Sequence, residues 1–587
     1  MIEVQTMVNI PYGISNFERI RNKEEPYVYV DKTHFLRSLE HTAYLMHLRP
    51  RRFGKSLFIS MMDCYYDVAL AHKFDELFTG LAIHKQPTAN KNNYYILRFN
   101  FSGIENSEID GLKTGFLRRT YLDAKRFIDR YELDIKLGDK TSPAGVLDDL
   151  LTGFEKLKLP HKIYMLIDEY DHFTNSILYG DGDAFLSVLK RGGYVRSFYE
   201  IIKERTERGV VERLFMTGVM SVTLDSMTSG FNIVTKITTN KNYADMMGFT
   251  TDEVKALLKL SFKDTSRQDG DHYVHKPIRL TDEERLNIFE VFKENYNGYL
   301  FSEENGVKIF NSTMIMYYLQ NYIADKEPPK TLVDANLNQS GTTIASIINL
   351  KTPELNQALI QELIDNKEVV GTLEPFIDID KKFDQDDVVT MLYNIGILTI
   401  KKDESGGVFE IPNTIIKRIY LQYLSELMYH QLDYTIDMRK QRIAFREIGT
   451  TGKINALTKI VENLLSHLSN ENFKQLDEKY VKFIYFILTH VTEDFIVYDE
   501  FPAGSGYSDI FIQKTLTTRA KYEVLIELKY LKRKQTTEET IQKKLQEGIT
   551  QINQYMKDER LANRDGLKKY VVVFSAYEAV KIHEVND

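Results

Sequence analysis

The sequence predicts a multidomain α/β protein. A parallel sheet with crossover helices comes first, mainly helical segments follow, and a second compact α/β unit closes the chain. Three observations lead there. Over the first 240 or so residues, short β-rich runs alternate with helical stretches, the pattern of a parallel sheet. From Thr250 to about Asn455 the pattern turns mainly helical. In the last stretch, from about residue 456, the order becomes helix, three strands, helix, strand.

The 587 residues suit several domains, and 43% hydrophobic with 27% charged residues gives an ordinary globular balance with large cores. The expected N-terminal strands are Ala43–Leu48, Tyr94–Phe101, Ile163–Asp168 and Arg213–Thr217. A strand-like pair, Ile397–Lys401 and Val408–Ile411, is split by the turn-forming Asp403–Gly407. Toward the C-terminus a helix over Glu478–Leu488 places Val481, Ile484, Tyr485 and Leu488 on one face. The strands Phe495–Tyr498, Ser508–Gln513 and Tyr522–Leu528 follow, then a helix from Glu538 to Met556 and a strand at Lys569–Phe574.

The net charge of −8 excludes a basic nucleic-acid coat but leaves room for a local basic groove. The single cysteine, Cys64, excludes an intramolecular disulfide and a cysteine zinc cluster, and suits a reducing cytoplasm. The start MIEVQTMVNIPYG lacks the pattern of a signal peptide, and no run of about 18 apolar residues occurs. A cytoplasmic protein with no membrane partner is the expectation.

Arg49-Pro50-Arg51-Arg52-Phe53-Gly54-Lys55-Ser56 lies between an expected strand and helix. Phosphate binding needs free backbone N–H groups at a helix N-terminus, a lysine for the outer phosphates and a hydroxyl for Mg²⁺. Gly54, Lys55 and Ser56 supply the end of that pattern, with Arg52, Phe53 and Leu57 beside them, while Arg49 stands where a first glycine is usual. A solvated basic turn would read the same way. The apolar run Ile163–Ile167 ends in Asp168 and Glu169, which suit a metal shell and a water-activating base. Thr217, at the end of another strand, would sense a γ-phosphate or merely cap a turn.

Further segments join these: Ile10-Pro11-Tyr12-Gly13-Ile14, Tyr29-Val30-Asp31-Lys32-Thr33, Asp168-Glu169-Tyr170-Asp171, Thr217-Gly218, Gly248-Phe249-Thr250, and Tyr296-Asn297-Gly298-Tyr299 with Phe301 and Asn311. As a set they resemble the AAA-ATPase-like proteins of bacteria. The resemblance implies a P-loop NTPase sheet with a helical lid, ATP and Mg²⁺ as cofactors, and a relation to ATPases that switch rather than pump. It also implies that Arg-Pro is normal in place of the first glycine. Arg51 and Arg52 would contact phosphates, a neighbouring subunit's nucleotide in a homo-oligomer, or nearby acids. Tyr29–Thr33 would pack beside the nucleotide or specify the fold.

Near the C-terminus, Asp509 precedes Glu527-Leu528-Lys529 by 18 residues. Residues two apart share a strand face, so Glu527 and Lys529 point the same way. With Asp509 from a neighbouring strand they would form a metal-and-water site, the carboxylates holding Mg²⁺ and Lys529 positioning the attacking water. A solvated ion pair would also produce Glu-x-Lys. Glu478 at a helix start, Gln551 and Tyr555 on a later helix face, and Glu500 before the Asp509 strand are candidate partners. Lys532, Arg533 and Lys534 would track a nucleic-acid backbone or form a solvated charge run. Glu478, Asp509, Glu527, Lys529 and Gln551 resemble the motif of the PD-(D/E)XK nuclease superfamily, from which Tyr507-Ser508 departs where Gly-Arg is more usual.

The two resemblances divide the chain into an ATPase-like core (1–240), its helical lid (241–330), a mainly helical connector (331–455) and a restriction-endonuclease-like α/β domain (456–587). The expected function is ATP binding and hydrolysis whose state gates Mg²⁺-dependent cleavage of nucleic acid, DNA in preference, in defence or mobile-element handling. A nucleotide-dependent switch that binds without cutting, or an ATPase with a C-terminal oligomerisation scaffold, are the alternatives.

Overall fold

The computed structural model describes residues 7–104, 109–172, 193–223, 233–263, 277–329, 331–334, 359, 362, 367–378, 383–402, 406–420, 437–470, 478–488, 492, 494–503, 506–515 and 518–586. The chain divides into two compact units: Met1–Lys326 with Val333–Ile416, and Glu327–Leu332 with Lys417–Asp587. Within the stretch expected as a connector, Val333–Ile416 clusters with the first unit, and Thr331–Leu332 and Lys417–Asn455 with the second.

The first unit is built on five parallel strands: β1 (Tyr44–Leu48), β2 (Tyr94–Asn100), β3 (Lys162–Asp168), β4 (Val211–Gly218) and the short β5 (Thr235–Lys236), in the order β2-β3-β4-β1-β5. The interior strands β1 and β3 are nearly continuous apolar runs, as strands covered on both faces must be. Helices α1 (Lys55–Tyr66), α2 (Ile109–Arg130), α3 (Pro143–Leu157) and α4 (Tyr194–Glu207) lie between strands in sequence. Parallel neighbours require such crossovers. The loops after β1 and β3 leave the carboxyl ends of the sheet, where ligands bind in open α/β folds.

Beyond β5, α5 (Thr251–Leu257) and α6 (Asp282–Asn295) each start with a capping box, Thr250 with Glu253 and Thr281 with Glu284. Lys32 reaches across to Glu253 (2.7 Å) and to the Asp245 carbonyl (2.8 Å), tying the Tyr29–Thr33 motif to this helix. Helix α7 (Ser312–Asp325) is capped by Asn311. An antiparallel sheet follows, made of β6 (Glu368–Val370), β7 (Thr399–Ile400) and β8 (Val408–Glu410), with α8 (Gln385–Ile395) preceding β7. The expected pair at Ile397–Ile411 is there in shortened form, joined by β6; Asp403, Glu404 and Ser405 of its turn lie outside the described residues.

In the second unit, α9 (Met438–Thr451), α10 (Asn455–Asn470) and α11 (Glu478–Ile487) precede a five-stranded sheet. Its strands β9 (Phe495–Ala503), β10 (Gly506–Lys514), β11 (Glu523–Leu531), β12 (Leu567–Ser575) and β13 (Glu578–Glu584) lie in sequence order. All neighbours are antiparallel except β11 and β12. That pair is parallel, so helix α12 (Glu538–Tyr555) makes the crossover between them. Leu545 and Ile552 of α12 pack on Leu531, Val571 and Val573. Tyr555 packs on Phe511 and Leu525. Gly548 lets the helix come close, since a Cβ there would sit 2.5 Å from a Val571 methyl. On the opposite sheet face Tyr485 of α11 meets Phe574 edge-on at 6.3 Å.

Candidate functional site

The loop Arg49–Gly54 turns sharply into α1, with Arg52 at φ +74° and Gly54 at φ +90°. Its carbonyls are engaged elsewhere: Phe53 O accepts from Gly248 N (3.0 Å) and Arg52 O from Thr313 N (3.2 Å). The first N–H groups of α1 have no partner within the helix, so they are donors for an anion. Arg49 stands at the usual glycine position because its side chain turns inward. Its guanidinium is 1% exposed, donates to the carbonyls of Leu48, Thr238, Tyr243 and Ala244, and stacks 3.9 Å from the Phe301 ring centre. Burial lowers its pKa to about 10.

Lys55 is buried, and its ammonium donates to Arg49 O and Pro50 O, both at 2.9 Å. Burial lowers its pKa to about 8, against the pull of Asp171, Glu169 and Asp168. A cavity of about 520 Å³ opens at this point. Arg52, Phe53, Gly54, Lys55, Ser56 and Leu57 line it, as do Tyr29 and Glu169. Asp168 lies at the end of β3, fully buried, with neither carboxylate oxygen in a hydrogen bond. Unpaired buried charge is costly, so two such oxygens near a phosphate loop fit a cation and its water shell. Ser56 supplies the hydroxyl on the cavity side, so the residues present fit ATP with Mg²⁺. Glu169 has a left-handed backbone (φ +53°), and burial together with Asp168 raises its pKa. A non-glycine residue held there marks a constrained position.

One residue departs from its expected role. Thr217 is not brought to the cavity: it is buried, and its hydroxyl donates to the His47 carbonyl of β1 at 2.7 Å. Arg52 faces Asp334, with 3.9 Å between their charged atoms. His172, which lines the cavity 3.7 Å from Glu169, was not singled out, although its place three residues after Glu169 was a signal.

In the second unit β10 and β11 pair up to Ile510–Ile526 and then part. Asp509 fills the gap, accepting the Leu528 N–H at 2.7 Å through Oδ2. Phe511 and Leu525 share one core cluster, so Asp509, Glu527 and Lys529, at alternate positions from them, face α12. Glu527 is 2% exposed; its Oε1 accepts from Lys529 Nζ at 2.6 Å, and its Oε2 is buried without a bond of normal geometry. Lys529 also donates to the Leu528 carbonyl (2.9 Å). Burial, then the Asp509 charge, raises the Glu527 pKa to about 7, with Lys529 opposing. Burial and Asp509 likewise raise Glu478 at the start of α11.

Lys482, one turn along α11 from Glu478, ion-pairs with Asp509 Oδ1 and lies 3.7 Å from Glu478. Its i+4 spacing from Glu478 was the signal that sequence reasoning passed over. Among the described residues no three acidic, histidine or cysteine side chains converge as a ready-made metal cage. The two-carboxylate set, with a buried Glu527 oxygen that lacks a hydrogen bond of normal geometry, nevertheless fits an oxygen-liganded cation such as Mg²⁺, which keeps several waters. Gln551 is half-buried on α12, one turn from Tyr555, whose hydroxyl pKa is raised by burial and then by Glu527 and Asp509. The Glu500 side chain lies outside the described residues. Tyr507 is 63% exposed, and Ser508 is buried.

A parallel sheet with a phosphate loop and an acid-tipped strand defines a nucleotide-binding class; a split sheet carrying Asp and Glu-x-Lys defines a nuclease class. Residues 11–228 match the family model of AAA-ATPase-like domains, described as a predicted AAA-ATPase, and residues 476–584 match that of the PD-(D/E)XK nuclease superfamily. The chain therefore joins an AAA-ATPase-like domain to a PD-(D/E)XK nuclease superfamily domain. Over 255 residues it is 28% identical to an Azotobacter chroococcum mcd 1 protein described as an uncharacterized protein in the vnfD 5' region. That match takes in 42% of this chain and 44% of the relative, so the chain spans less than half the relative's length. Among the described residues no helix is long and apolar enough to cross a membrane.

Proposed function

We propose that the N-terminal unit binds and hydrolyses ATP with Mg²⁺, and that its nucleotide state gates Mg²⁺-dependent cleavage of nucleic acid, DNA in preference, by the C-terminal domain in the cytoplasm. The observation that carries the nuclease half is the buried trio Asp509, Glu527 and Lys529 on one sheet face. Asp509 and Glu527 would hold Mg²⁺, which would supply positive charge against the scissile phosphate and the leaving oxygen. Lys529 holds the attacking water, and Gln551 with Tyr555 borders the approach. Lys482, paired with Asp509 Oδ1, keeps Asp509 in place.

In the N-terminal unit, Lys55 exchanges the Arg49 and Pro50 carbonyls for outer phosphate oxygens. Ser56 and Asp168 hold the cation shell, and Glu169 orients water toward the γ-phosphate. A role in defence or mobile-element handling follows from the family likeness alone. The test is degradation of single- and double-stranded DNA and RNA, with and without ATP, by the wild type and Lys55→Ala. Equal cleavage under all conditions would refute gating, and no cleavage of any substrate would leave a nucleotide-dependent binder as the reading.

A further inference from the structure

Away from both sites, four arginines surround a cavity of about 270 Å³ in the N-terminal unit. Arg98 comes from β2, and Arg119, Arg126 and Arg130 come from one face of α2 at spacings of seven and four. Asp63 on α1 and Asp123 on α2 are the acids at its wall. Asp123 accepts from Arg119 Nε (3.0 Å) and Arg126 Nη1 (2.7 Å). Asp63 pairs with Arg130 at 3.1 Å and with Arg98 only at 3.9 Å. Arg130 also pairs with the buried Asp67 behind the wall.

Even with Asp67 counted, the group keeps one positive charge in excess, in a chain whose net charge is −8. Each guanidinium has about five N–H donors and each carboxylate about four acceptor sites, so three acids cannot use all the donors of four arginines. The heads are not sealed in: Arg126 is 65% exposed and the others about a third. Planar guanidinium forks match phosphate oxygens in pairs. The cavity is smaller than the roughly 300–1,000 Å³ of drug-sized sites, which suits a phosphoryl group with its immediate substituent.

We propose that this pocket is a phosphate-binding site, separate from the nucleotide loop, for a phosphate-bearing ligand that is either free or part of a nucleic-acid backbone. The probe is inorganic pyrophosphate, titrated by calorimetry into the full chain carrying Lys55→Ala, in metal-free, low-salt buffer. The comparison adds Arg98→Gln with Arg126→Gln, which leaves Asp63 its Arg130 and Asp123 its Arg119. The expected result is binding to Lys55→Ala that weakens roughly tenfold or more in the comparison, from the loss of two charge-assisted donors.

Should the pair of changes lower the thermal midpoint, Arg126→Gln alone, at the most exposed head, carries the same comparison. Competition by a single-stranded oligonucleotide with a 5′-hydroxyl, which offers only backbone diesters, identifies the backbone as the source, and failure to compete identifies a free phosphate ligand. No binding to Lys55→Ala, or equal affinity after the arginine changes, would overturn the proposal.

Discussion

Glu527→Gln should make the metal-free C-terminal unit more stable at pH 8 while destroying its response to Mg²⁺. Burial and the Asp509 charge raise the Glu527 pKa from 4.5 to about 7. A carboxyl whose pKa is higher folded than unfolded adds stability below the unfolded value, and loses it as pH rises through the folded one. The window is therefore about pH 4.5 to 7. At about 1.4 kcal/mol per pKa unit, ionised Glu527 costs the fold about 3 kcal/mol above pH 7. The residue is 2% exposed, so solvent screens little of this, and the attraction of Lys529 is already contained in the balance. Glutamine takes the place of the neutral acid and removes the cost.

Hydrogen–deuterium exchange of peptides spanning Gly506–Leu531 reads the local opening free energy directly. At pH 8 without metal, protection in Glu527→Gln should rise by about 30–100-fold, equivalent to about 2–3 kcal/mol. At pH 4.5 the gain should vanish. Added Mg²⁺ should protect the wild type and leave the variant unchanged. A variant less protected than the wild type at pH 8, or equal protection of both by Mg²⁺, would refute the reasoning.

Other outcomes follow from the same contacts. ATP at a hundred times its Kd should stabilise the wild type by about 2.7 kcal/mol, and Lys55→Ala should lose that thermal shift. Asp509→Asn keeps an oxygen for the Leu528 N–H but loses the ion pair to Lys482, so cleavage should disappear while the melting temperature falls less than in Asp509→Ala. Asp509→Ala strands that N–H and takes from Lys482 its close ion pair, and should lower stability by about 2–4 kcal/mol in denaturant titration. Gly298→Ala should destabilise the N-terminal unit by about 3 kcal/mol or more, because φ is +99° and the new Cβ would lie 1.9 Å from the Pro412 carbonyl oxygen. Calorimetry of the two proteins checks it.

The long strands were legible because continuous apolar runs have few other places to go. Two of the short ones were not: β5 has two residues and β6 three, too few for a period, and neither has the turn signal that marked β7 and β8. The sequence of β13, Glu-Ala-Val-Lys-Ile-His-Glu, is half polar, as an edge strand can be, and was missed. Local spacing aligned Glu527 with Lys529, but the bond from Leu528 N–H to Asp509 depends on where two strands part, which no one-dimensional pattern carries. Thr217 shows the same boundary. Its strand was located, but a hydroxyl at a strand end can turn to a neighbouring carbonyl as readily as to a ligand, and here it bonds His47. Arg49 reads as a defect in a phosphate loop until Phe301 and four distant carbonyls surround it.

The parallel pairing of β11 with β12 bears on biosynthesis. The strand carrying Glu527 and Lys529 gains its inner neighbour only once Leu567–Ser575 has left the ribosome. By then the residues of the phosphate loop and of the acid-tipped strand have long since emerged, and domains generally fold in that order. A nascent chain stalled between Ile416 and Leu567 would carry the proposed nucleotide site with an unfinished blade. The cell would meet the cutting strand in its completed sheet only after the part proposed to restrain it had been made.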